Sequence, residues 1–148
     1  MQKTVIFMLL ALLFGTSSFA NANEMISDKK NAIYWQDNMS SKESTEDWDD
    51  AVTYCDDLVI NNMEHWRLPT FKELFSIVDY AHVDPAINPV FSFVKEGTYW
   101  TSTAFFPTKA RAWTIDFRTG KTYYNYTTTN HAVRCVKDMS QASAKESK

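Results

Sequence analysis

Along this chain the spacing of apolar residues changes once, and the change separates two kinds of secondary structure. Trp48, Ala51, Val52, Cys55, Leu58 and Val59 follow the three-and-four spacing of a helix with one buried stripe. Phe71, Leu74, Phe75 and Val78 form a second such stripe. From Tyr99 onward the spacing falls to two: residues 99–103, 112–117, 122–127 and 132–137 read as strands, joined between the second and third by the turn Arg118-Thr119-Gly120-Lys121. Helices early and strands late predict an α+β domain, two early helices packed on a late antiparallel sheet, with no βαβ repeat.

Two shorter signals fix corners of that plan. Ile33-Tyr34-Trp35 reads as a short first strand, and Ser44-Thr45-Glu46-Asp47 as a cap for the first helix after a polar loop over 39–47. Thr70-x-x-Glu73 is a capping box for the second helix, and Pro69 holds Leu68 extended before it. Trp66 and Leu68, on alternate positions, then share one side with Arg67 opposite. This assigns Trp66, Arg67, Leu68, Pro69, Thr70 and Glu73 a structural role, with Arg67 and Glu73 pinning the corner rather than forming a catalytic pair. The connection over 79–98 carries Asp84-Pro85 and Asn88-Pro89, with an apolar anchor expected among Ile87, Val90 and Phe91. Most of the five tryptophans, Trp100 and Trp113 among them, sit in periodic apolar segments and are assigned to the core.

The N-terminus sets the compartment. Lys3, the apolar run Val5–Phe14 and Ala20-Asn21-Ala22 form the three regions of a secretory signal peptide over residues 1–22. The apolar run is too short to span a bilayer, and no later run approaches the length required. An exported protein without a membrane span is therefore expected, periplasmic or extracellular, with a polar lead-in over 23–32, the domain over 33–137 and a disordered tail over 138–148. Only two cysteines are present, Cys55 and Cys135. In an exported chain an even count favours a disulfide, which would close a long loop and stabilise the fold by about 4 kcal/mol. Two free thiols remain the alternative.

Charge and composition exclude several activities. Residues 23–66 carry eleven acids against three bases, and residues 67–148 seven acids against eleven bases. The balance does not suit nucleic acid, and it fits either internal neutralisation or a surface that steers a charged partner. His65, His82 and His131 share no ligand spacing with one another or with a cysteine, so no metal site is expected. Asp116, Asn125 and Asn130 offer thin oxygen chemistry for calcium. Only Gly97 and Gly120 follow the signal peptide, which leaves no phosphate-binding glycine loop. No catalytic residues and no cofactor are assigned. The aromatics that are hardest to bury are in Phe105-Phe106-Pro107, flanked by Lys109 and Arg111, and in Tyr123-Tyr124-Asn125-Tyr126, whose alternate tyrosines fall on both sheet faces. Exposed rings beside cationic and amide donors can stack on sugars or dock a protein. Phe105, Phe106, Lys109, Arg111, Tyr124, Asn125 and Tyr126 are the candidate ligand-binding residues.

Seven pieces of the chain together resemble one family. They are Tyr34-Trp35-Gln36-Asp37, Trp48-x-x-Ala51-x-x-x-Cys55, Trp66-Arg67-Leu68-Pro69-Thr70-x-x-Glu73-Leu74, Ile87-Asn88-Pro89-x-Phe91, Tyr99-Trp100-Thr101-Ser102-Thr103, Ala112-Trp113-x-x-Asp116-Phe117-x-x-Gly120 and Val133-Arg134-Cys135-Val136. In this order they are similar to the domain of unknown function at the C-terminus of the Legionella collagen-like adhesin. The resemblance implies a C-type lectin-like fold and, through the adhesin, binding to sulfated glycans. It also implies distant kinship with the sulfatase-modifying enzymes that generate formylglycine through a reactive cysteine pair. The expected function is thus a non-catalytic exported module that binds a glycan or an envelope protein. A structural subunit of a surface assembly is the second reading, and an enzyme related to the formylglycine-generating enzymes the third.

Overall fold

Two sheets meet along one stretch of chain near its C-terminal end. The structure, a computed structural model, describes residues 24–140; the expected signal peptide lies outside them. In the first sheet β2 (Ile33–Gln36) is central, antiparallel to both β1 (Met25–Asp28) and β8 (Val136–Asp138). The second has the order β3-β7-β4-β5-β6, built from β3 (Thr45–Glu46), β7 (His131–Ala132), β4 (Thr98–Ala104), β5 (Arg111–Asp116) and β6 (Lys121–Tyr126). Its pairs are antiparallel except β4 with β7. Three helices, α1 (Met39–Glu43), α2 (Trp48–Asp56) and α3 (Phe71–Phe75), complete an α+β fold.

The late antiparallel sheet is present, with several departures from the sequence reading. Residues 23–32, expected to be a loose lead-in, contain β1, because Ile26 packs against the core and its strand pairs with β2. The expected loop over 39–47 holds α1 and β3, so the described residues contain three helices rather than two; Asn38 and Ser41 make the reciprocal cap of α1. Asp47, not Ser44, caps α2 by accepting from the Asp50 amide at 3.0 Å. The single last strand is two, β7 and β8, with Cys135 in the link between them. The expected tail begins inside β8, where Asp138 pairs with Ile33, and residues 141–148 lie outside the described part.

The break between β7 and β8 has a packing cause. Ala132 and Val136 join one apolar cluster with Trp35, Leu74, Tyr99, Ile115 and Phe117, whereas Val133 and Cys135 join another with Ala51, Trp66, Leu68 and Trp100. Every residue from Ala132 to Val136 is buried, including Arg134 at 0 % exposure. Both sides of this segment are covered, so the in-and-out alternation of a half-exposed strand is absent. Cys55 and Cys135 form the disulfide, with an S–S length of 2.05 Å and a Cα separation of 5.6 Å. It fastens α2 to this segment inside the second cluster.

Arg134 is neutralised on the spot. Asp37, also buried, accepts from Arg134 Nη1 at 3.2 Å and from the Ser92 and Phe93 amides at 2.9 and 3.0 Å. The guanidinium also donates to the Gln36 and Phe93 carbonyls and lies 4.8 Å from the Phe91 ring centroid. A buried cation is tolerated when its charge is paired and most of its donors are met; here both terminal nitrogens are bonded and Nε alone has no partner among the described residues. Here the pair ties β2, the 79–98 connection and the central segment together. Ile87 and Phe91 are the buried anchors of that connection, and Val90 is exposed.

At the hairpin between β5 and β6, Gly120 adopts a φ of +74°. A Cβ there would stand 2.7 Å from Tyr80 Cε1 and 2.8 Å from Val78 Cγ1, so glycine is required both for the turn and for the close approach of Val78 and Tyr80.

Candidate functional site

The first candidate is the Trp66–Glu73 corner, which is bonded to both sheets. Arg67 exchanges both backbone hydrogen bonds with Val136 at 2.8 Å, and the Pro69 carbonyl accepts from Ser102, so the corner bridges the two sheets. Trp66 and Leu68 are buried beneath it. Thr70 and Glu73 form the predicted capping box. Outside, the Arg67 guanidinium grips Glu73 with two bonds of 2.8 and 2.9 Å and reaches Asp138 at 2.7 Å. Burial alone would lift the Glu73 carboxyl, but hydrogen bonds from Arg67 and Thr70 outweigh it and hold Glu73 below the ordinary glutamate range. Asp138 is likewise held low by hydrogen bonds from Arg67. Arg67 also borders a groove of about 440 Å³ with Val52, Thr53, Asp56 and Ser102, but its donors are already turned to the two carboxylates and the Leu68 carbonyl.

This network has an acid-side signature. Depressed carboxylate pKa values stabilise the fold above the unfolded-state values and lose that contribution as pH falls through the folded-state values. Glu73→Gln is therefore expected to cost about 1–2 kcal/mol at neutral pH, allowing for screening by water. Urea titrations across pH should show the wild-type advantage shrinking below about pH 4.5, where unfolded glutamate takes up its proton. A gap that stayed constant to pH 2 would assign the effect to shape instead of charge.

The second candidate face is built on β5 and β6. Their register sets Arg111 opposite Tyr126 and Trp113 opposite Tyr124 without interruption, so all four side chains share one side of the sheet. A bulge between Trp100 and Ala104 re-aims the end of β4. Thr101 Oγ1 donates to the Trp113 carbonyl at 2.8 Å, and Thr103 Oγ1 accepts from the Phe71 amide at 2.9 Å. The chain leaves this bulge with the Phe105 amide bonded to the Arg111 carbonyl, which brings the Phe105 ring over the hairpin.

The rings then form a continuous strip. Phe105 stacks on Tyr124 with centroids 4.0 Å apart and planes 15° from parallel. Both meet Trp113 edge-on, at 5.6 and 5.7 Å, and Trp113 meets Phe71, which stacks on Phe75. At the other end Arg111 lies 4.2 Å from the Tyr126 ring centroid and 5.5 Å from that of Tyr124, and donates to the Tyr126 hydroxyl at 2.6 Å. Such stacks and cation–π contacts are worth about 0.5–1.5 kcal/mol each. They hold the partly exposed rings of the strip in a fixed arrangement. None of the ion pairs among the described residues uses Arg111 or Lys109.

Of the sequence-derived candidates, Phe105, Arg111, Tyr124 and Tyr126 come together. Phe106, 90 % exposed, and exposed Lys109 lie on the neighbouring 105–110 loop. Asn125 does not join them: its side chain is on the opposite side of the sheet and donates to Thr114 Oγ1 at 2.8 Å. Trp113 was assigned to the core, but it is only half-buried and forms the floor of the strip. Phe71 and Phe75 extend the strip from α3. The signal for these three was their place on facing elements, which periodicity within one element does not reveal. Trp100, by contrast, is fully buried, its Nε1 donating to the Glu46 carbonyl at 2.9 Å.

Other chemistry is sparse. Among the described residues no group of three or more His, Cys, Asp or Glu is placed to hold a metal ion, and no helix is long and apolar enough to cross a membrane. Burial lowers the pKa of His131, which rests edge-on against Trp100. Compared with protein-family models, residues 24–137 match the one described as the Lcl C-terminal domain. No curated protein matches the chain.

Proposed function

Because the chain belongs to the Lcl C-terminal domain family, matching it over residues 24–137, we propose that it is an exported, non-catalytic module that binds a glycan or protein surface through the Phe105–Arg111–Tyr124–Tyr126 face. The observation that carries this reading is an ordered, partly exposed row of rings ending in a guanidinium that no carboxylate among the described residues pairs with. Export is supported by the signal-like residues 1–22 and by a disulfide, which suits an oxidising compartment. The reading as an enzyme of the formylglycine-generating kind needs a reactive thiol pair; both cysteines of this chain are joined and fully buried.

The test uses the mature protein on an array of sulfated and neutral glycans and on immobilised envelope extract. Wild type should be retained on at least one. Arg111→Ala should weaken that retention about tenfold with little change in melting temperature, since its cation–π and hydrogen-bond contributions are made at the surface. Blank surfaces for the folded protein, or an Arg111→Ala variant that binds as well as wild type, would reject the assignment.

A further inference from the structure

β6 closes the five-stranded sheet on one side, and its outer edge is unusually well suited to another strand. Its register with β5 runs through six consecutive pairs without a bulge. The Thr127 amide donates to the Ala110 carbonyl at 2.9 Å, which fixes the phase of the ladder. By alternation, Lys121, Tyr123 and Asn125 turn their main-chain groups to β5, and Thr122, Tyr124 and Tyr126 turn theirs away. The Tyr126 carbonyl is taken by the Thr129 amide and hydroxyl. Thr122 and Tyr124 are left presenting two amides and two carbonyls in a row.

Exposed edges are normally blunted by a central charge, a proline or a bulge. Between Thr122 and Tyr126 there is none of these. Charge then selects the occupant. Between Glu96 and Asp138 the chain contains one acid, Asp116, which is held by Arg118 at 2.7 Å. Lys121 at the start of β6 and Arg111 and Lys109 beside its end remain as cations. A second copy of β6 would bring the same cations together, whereas an acidic strand would meet them.

We propose that the outer edge of β6 receives an extended, acidic segment of a protein partner as an added strand. This rests on the binding-face reading above and narrows it to one ligand class, with main-chain bonds from Thr122 and Tyr124 supplying affinity and the flanking cations supplying selectivity.

The probe is a fluorescent, end-blocked peptide of alternating Glu and Thr, with a Lys and Thr peptide of equal length as control. The acidic peptide should bind, weaken as salt rises and slow exchange of the Thr122 and Tyr124 amides. Thr122→Pro removes an outward amide that β5 does not use, and should weaken binding about tenfold. Absence of binding, equal binding of both peptides, or undiminished binding by folded Thr122→Pro would each overturn the proposal. Should that variant lose its near-ultraviolet dichroism, amide exchange in wild type decides: unprotected Thr122 and Tyr124 amides overturn it. Retention on envelope extract that survives Thr122→Pro but not Arg111→Ala would sink strand addition and leave the broader binding function standing.

Discussion

Asp37→Ala is expected to destabilise the domain by about 3–5 kcal/mol, the range for removing one partner of a buried ion pair. The substitution leaves the Arg134 guanidinium buried with no counter-charge, and it strips the acceptor from the Ser92 and Phe93 amides. Domains are typically stable by about 5–15 kcal/mol, so the loss is a large share of the total. Arg134→Met should also be costly, because it leaves the Asp37 carboxylate buried without its counter-charge and the Gln36 and Phe93 carbonyls without their donor, although Asp37 keeps its two amide donors. The double variant should cost less than the sum of the two, since the second change removes the charge orphaned by the first. Urea midpoints of the four proteins measure this cycle. Additive losses would show that the two residues do not act as a pair.

Removing the bridge should be nearly as damaging. Cys55→Ala together with Cys135→Ala frees an 80-residue separation in the unfolded chain, worth about 4 kcal/mol in the chain-entropy account. For a domain of this size that corresponds to a fall in melting temperature of about 15 °C. Both sulfurs are buried between α2 and the central segment, so the variant also loses packing in the cluster with Trp66 and Trp100. Scanning calorimetry checks the value. An unchanged melting temperature would mean that the loop is already constrained without the bridge.

These two elements were not equally legible in the sequence. The cysteines announced themselves, because two in an exported chain have few other uses. So did the capping box at Thr70 and Glu73, whose signal is local and complete within four residues. Arg134 was hidden. It stands between Val133 and Cys135 in what reads as a half-exposed strand, where an arginine belongs outside. Only the meeting of two clusters on either side of that segment buries it, and such a meeting is a property of topology, not of spacing. Asp37 was hidden for the same reason, since its partners lie 55 to 97 positions away.

The candidate face on β5 and β6 was half legible. Aromatic residues beside cations flagged Phe105, Arg111, Tyr124 and Tyr126, which the hairpin and bulge bring together. Strand parity separates Asn125 from its neighbours by placing it across the sheet. Trp113 was misassigned because a tryptophan in an alternating strand resembles a core residue, although its face here is open between α3 and the hairpin.

The first sheet has a mechanical consequence. β1 and β8 flank β2 and run in the same direction, with Met25 beside Gln36 and Asp138 beside Ile33. Tension applied to the two ends of the domain therefore slides β1 and β8 along β2 in opposite senses, loading their ladders in shear rather than peeling them open. The covalent path from one end to the other runs through Cys55 and Cys135, so tension along it bypasses β4, β5 and β6, the strands that carry the aromatic strip. Under such a load the first sheet would yield while the aromatic strip kept its geometry.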